Sequence, residues 1–187
     1  MRKFLILGMI AAVVVMSSVA FADTGASATA ALTLTSVINI SVTDNWDNLE
    51  IAQSDIAGWG AREVLDWGEL TVNVKAMTNF KVWSSYYAKE GGMDVSPAFG
   101  STTNLLGVDD GTTLYWLIYN EITNPNAYAG PYSATVLTEL FSGSNNVLAG
   151  GDTKTYTVKL NPSSLGDRTA GEVIDFTIVF VVEDPTT

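Results

Sequence analysis

Residues 172–183 read Glu172-Val173-Ile174-Asp175-Phe176-Thr177-Ile178-Val179-Phe180-Val181-Val182-Glu183. Ile174, Phe176, Ile178, Phe180 and Val182 share one side of an extended chain, a period of two that a helix cannot present as a single face. On the other side Asp175 and Thr177 give way to Val179 and Val181, so the distal half of this strand is expected to be buried on both faces. A strand with one apolar side needs a second layer to cover it. A matching alternation lies near the start of the chain, where Leu32, Leu34, Ile38, Ile40 and Val42 oppose Thr33, Thr35, Asn39 and Ser41, with a bend expected near Ser36.

Between these two stretches, residues 49–52, 69–76, 80–87, 112–119, 134–141 and 154–160 carry strand-like patterns. They are punctuated by turn signals: Gly58-Trp59-Gly60, Met77-Thr78-Asn79, Gly91-Gly92, Asp109-Asp110-Gly111, Asn124-Pro125-Asn126, Gly150-Gly151-Asp152 and Asn161-Pro162-Ser163. Helix is expected only as a turn or two within 54–65 and a 3₁₀ piece at 161–165. The pattern predicts an all-β fold, an antiparallel β-sandwich of Ig-like or jelly-roll-like kind with about eight strands.

The chain has 187 residues, 47% of them hydrophobic, which is too apolar for a disordered segment. Arg2 and Lys3, the apolar run from Phe4 to Met16, and Ala20-Phe21-Ala22 read as a secretory signal peptide over residues 1–22. Cleavage is expected after Ala22, giving a mature chain that starts at Asp23. A small, polar lead-in over 23–30 would then precede a single sandwich domain over 31–187. Losing Arg2 and Lys3 takes the formal charge from −11 to −13. That balance, without any Lys/Arg cluster, argues against nucleic acid as a partner, and no second apolar run suggests a membrane span after cleavage. The expected location is outside the cytoplasm, at the cell surface, in the medium or in a periplasm.

Two patches resemble a known group of proteins. Leu65-Asp66-Trp67-Gly68-Glu69-Leu70, continuing through Thr71-Val72-Asn73-Val74-Lys75 to Thr78-Asn79-Phe80-Lys81-Val82-Trp83, is similar to the paired-strand stretch of secreted bacterial β-sandwich surface proteins. Residues Ala170-Gly171-Glu172-Val173-Ile174-Asp175-Phe176 resemble the closing strand of fimbrial and spore-coat-U-type subunits, with Val173 where those carry an aromatic residue and without their cysteine pair. The resemblance implies a sandwich subunit of a surface structure or fibre.

With neither His nor Cys in the chain, Ser/His and Cys/His nucleophiles, disulfides and most zinc sites are excluded. Catalysis would fall to paired carboxylates about 5–10 Å apart, as in glycoside hydrolysis. Asp66 and Glu69 beside Trp67, or Glu121 after Tyr119, are the candidates; solvated turn carboxylates are the simpler reading. No cofactor is expected. Calcium is the one metal whose hard oxygen ligands abound, with Asp44, Asp47, Asp109 and Asp110 in the densest clusters, although neither cluster has EF-hand spacing and Asx turns account for both.

Aromatic parity is more informative. In the strand from Phe80, the residues Phe80, Val82 and Tyr86 lie on one face, and Trp83 and Tyr87 on the other. In 112–119, Tyr115, Leu117 and Tyr119 oppose Leu114, Trp116 and Ile118. If Phe80 points inward, Trp83, Tyr87, Tyr115 and Tyr119 are candidates for an outward aromatic face. That face would be covered by the connection 88–111, buried against a neighbouring subunit, or used to stack sugar rings. The functional expectation is a non-catalytic structural or adhesive surface protein, a fibre or surface-layer subunit that associates with itself or with other surface proteins. The alternatives are a carbohydrate-binding module that takes a glycan on the aromatic face and, third, a carboxylate-based glycoside hydrolase.

Overall fold

A computed structural model describes residues 38–46, 64–96, 99–166 and 171–185, all within the unit Ser36–Thr187. The signal and lead-in segments, the strand expected at 49–52, the helical turns expected before residue 64 and Asp47 lie outside the described residues. Ten strands are present among those described: β1 (Ile38–Asp44), β2 (Leu65–Ala76), β3 (Phe80–Glu90), β4 (Met93–Asp94), β5 (Leu106–Asp109), β6 (Leu114–Trp116), β7 (Ile118–Tyr119), β8 (Thr138–Gly143), β9 (Asp152–Leu160) and β10 (Asp175–Glu183). They form a predominantly antiparallel, two-layer β-sandwich. The first sheet has the order β1-β2-β9-β5-β6, and every pair in it is antiparallel.

The second sheet is built around β3. One side of β3 pairs with β10 from Lys81 to Lys89, so the alternation that decided the fold lies against the longest apolar strand of its sheet. The other side is tiled by three short pieces: β8 along Phe80–Ser84, β7 in parallel at Ser85 and Tyr86, and β4 at Lys89 and Glu90. The expected strand over 112–119 is divided. Leu117, 2% exposed, is where the chain leaves β6 in the first sheet and enters β7 in the second.

The main core lies between the sheets, with Leu70, Val72 and Val74 of β2, Tyr156, Val158 and Leu160 of β9, and Phe80, Val82 and Tyr86 of β3. Within each set the residues are an even number apart, as burial of one face of a strand demands. Six rings continue in contact across this interior. Trp46 meets Trp67 at 5.0 Å, Trp67 meets Phe176 at 5.4 Å, and Phe176 stacks on Phe99 at 5.9 Å and on Tyr86 at 6.4 Å, with Tyr119 5.1 Å beyond Tyr86. The 3₁₀ piece expected at 161–165 is present as Pro162–Ser164, with the Asn161 side chain accepting from Ser163 N.

Candidate functional site

The outer face of the second sheet carries a core of its own. Trp83, Val179, Val181, Ile122 and Leu137 are buried together, with Tyr87, Tyr128, Tyr132 and Val136 packed around them. Parity places Trp83 and Tyr87 on the side opposite Phe80, Val82 and Tyr86, as expected. The burial of Val179 and Val181 behind β10 also agrees with the expectation that its distal half is covered on both sides.

The cover differs from the one expected. It is the connection between β7 and β8, residues 120–137, rather than 88–111. Trp83 is only 5% exposed, and its indole N–H donates to Glu183 Oε2 at 2.8 Å. The connection is tied down by Ser85 Oγ donating to the Asn120 carbonyl at 3.1 Å and by Tyr132 Oη donating to the Val182 carbonyl at 3.3 Å.

The other two rings stand elsewhere. Tyr115 packs inside the sandwich, edge-on to Tyr156 with centroids 6.4 Å apart. Tyr119 also packs against the main core, where its hydroxyl donates to Asp94 and to the Ala88 carbonyl. Burial and the bond to Asp94 push its phenol up to about 12. Trp83 and Tyr87 on one side of the second sheet, with Tyr115 and Tyr119 between the sheets, do not compose a single surface. Tyr115, Leu117 and Tyr119 keep to one face through the sheet change, as the alternation over 112–119 predicts, but that face is the interior rather than the outside.

Four of the candidate carboxylates, Asp66, Asp109, Asp110 and Glu121, are engaged locally. In the β5–β6 turn, Asp109 Oδ1 accepts from Gly111 N at 2.9 Å, and Asp110 Oδ1 accepts from Thr112 N and Thr113 N at 2.9 and 2.8 Å. Those backbone donors hold the Asp110 carboxyl below its usual range. Asp44 ends β1, and among the described residues no three acidic side chains gather as a metal site would require. Asp66 is 2.5 Å from Lys159 Nζ on the first sheet, Glu69 lies beside it on the same strand, and Glu121 is 2.7 Å from Lys89 Nζ on the second.

The outer face of the first sheet is open and polar. Thr71 and Thr155 hydroxyls are 3.1 Å apart, and Asn73 Nδ2 donates to Thr153 Oγ1 at 2.7 Å. Across its lower end, Asp66, Lys159, Gly107 and Trp116 stand in register on β2, β9, β5 and β6. Sequence reading placed Trp116 on the inward face. Its outward position follows from the register of β6, which turns the neighbouring Tyr115 inward against Tyr156. Among the described residues no helix is long and apolar enough to cross a membrane. Compared with known proteins, the chain matches no family model and no curated protein sequence.

Proposed function

We propose that the chain is an exported, non-catalytic subunit of a cell-surface structure that joins copies of itself or other surface proteins through its sheet edges. The observation that carries this reading is the arrangement of β1 and β10. Among the described residues β1 pairs only with β2 and β10 only with β3. These two edges approach each other along one side of the sandwich, because the chain closes the opposite side where it passes from β6 to β7. Val42 shares the core-facing parity of Ile38 and Ile40 but is 39% exposed, and Phe176 and Ile178 are only half-buried. Open edges flanked by apolar side chains recruit further strands, and charged residues placed on them suppress that pairing.

Size-exclusion chromatography with electron microscopy of the mature chain tests the reading. Concentration-dependent assembly is expected, with Val42→Lys reducing it. A wild-type chain that stays monomeric at every concentration contradicts the reading. The export half is tested separately, by N-terminal sequencing of secreted protein, which should begin at Asp23.

A further inference from the structure

We infer that the outer face of the first sheet holds a sugar-stacking subsite centred on Trp116. Two independent observations support it. First, a Cβ on Gly107 would come within 3.0 Å of Trp116 Cε3, so the ring, carried by the edge strand β6, rests on the bare glycine backbone of β5, with Leu114 beside it. Trp116 belongs to neither hydrophobic cluster, and it is only partly buried. Second, its indole N–H has no hydrogen-bond partner among the described residues, whereas the Trp83 indole is satisfied by Glu183. An indole N–H without a protein partner is free to donate, and a ligand hydroxyl would accept from it.

The neighbours suit a carbohydrate. Asp66, Lys159, Gly107 and Trp116 lie in one row over three strand spacings, about 14 Å, long enough for more than one pyranose ring. The Lys159 ammonium, held between Asp66 at 2.5 Å and Asp109 at 3.6 Å, fixes donors and acceptors in place before a ligand arrives. Sugar hydroxyls need such paired donors and acceptors, while the C–H face of the ring takes the aromatic surface. Thr157, Thr155 and Thr153 continue the polar floor along β9. The net acidic charge selects a neutral hexose polymer over an anionic one.

The subsite is separate from the edges invoked for assembly, so the two readings can fail independently. The test is titration of the mature protein with soluble gluco-, manno- and galacto-oligosaccharides, followed by calorimetry and tryptophan fluorescence. At least one series is expected to bind. Trp116→Ala should weaken it by about tenfold or more, Trp116→Tyr by no more than about threefold, and Lys159→Gln by about threefold or more with the ring intact. Val42→Lys should bind as wild type does. Absence of binding at about 10 mM of every series overturns the proposal. So does binding that survives Lys159→Gln and a folded Trp116→Ala unchanged, and so does a Trp116→Ala chain that loses self-association while keeping its sugar affinity.

Discussion

Trp83 is packed beneath the connection over 120–137 and bonded to the Glu183 carboxylate, so its truncation removes that packing and that bond together. Trp83→Ala is expected to lower the unfolding free energy by about 3–5 kcal/mol in denaturant titration, the range for a core aromatic. A loss under about 1.5 kcal/mol would place the ring on a free surface instead. The side on which Trp83 points was legible from its neighbours, since Phe80, Val82 and Tyr86 alternate with it without interruption. What lies over it was not legible. Ile122, Tyr128, Tyr132, Val136 and Leu137 are spaced irregularly, and such a segment reads as a loop until the sheet it covers is known.

Long strands carry their own signature, and short ones borrow it from their neighbours. β2, β3, β9 and β10 announce themselves by alternation, whereas Leu106–Asp109 has too few residues and a glycine, and Met93–Asp94 forms only as the return of a Gly91-Gly92 hairpin. β2 shows a further feature hidden in the sequence. Its register against β9 shifts between Asp66 and Glu69, and Gly68 at the shift has φ +120 with Trp46 Cα 2.7 Å from where a Cβ would sit. Asn45 braces the same point, donating its N–H to the Glu69 carbonyl at 3.0 Å and accepting from Glu69 N at 2.6 Å. Gly68→Ala therefore meets both backbone strain and a steric clash. A loss of about 2–4 kcal/mol is expected by chemical denaturation, with near-UV circular dichroism reporting displacement of Trp46 from Trp67. An alanine variant of wild-type stability would mean that the bulge is dispensable.

Ionisation ties the whole sandwich to pH at both ends of the scale. Burial raises the phenols of Tyr86, Tyr119 and Tyr156 above their ordinary value of 10.0, so the native state favours their neutral forms. Their contribution to stability is complete below pH 10.0 and declines as the pH rises above it, because the unfolded chain ionises first. The tyrosinate absorbance of these three phenols should then appear together with loss of β-sheet; their titration near 10.0 in an intact fold would contradict this. On the acid side, the bond from Tyr119 and the Ser96 N–H hold the Asp94 carboxyl below its ordinary 3.8, and backbone donors do the same for Asp110. The stability they contribute is present above that value and is lost as the pH falls below it.

Because Asp109 and Asp110 already serve the turn, calcium and ionic-strength-matched sodium are expected to raise the melting temperature equally, by screening the chain's net negative charge. A larger rise with calcium would indicate a cation site. The claim on which the functional reading depends is that β1 and β10 are open in the isolated subunit and closed by association. Hydrogen exchange compared between monomeric and assembled protein tests it most directly. The amides of 38–44 and 175–183 that point away from β2 and β3 should exchange rapidly in the monomer and become protected on assembly. Protection already present in the monomer, or unchanged by assembly, would contradict it.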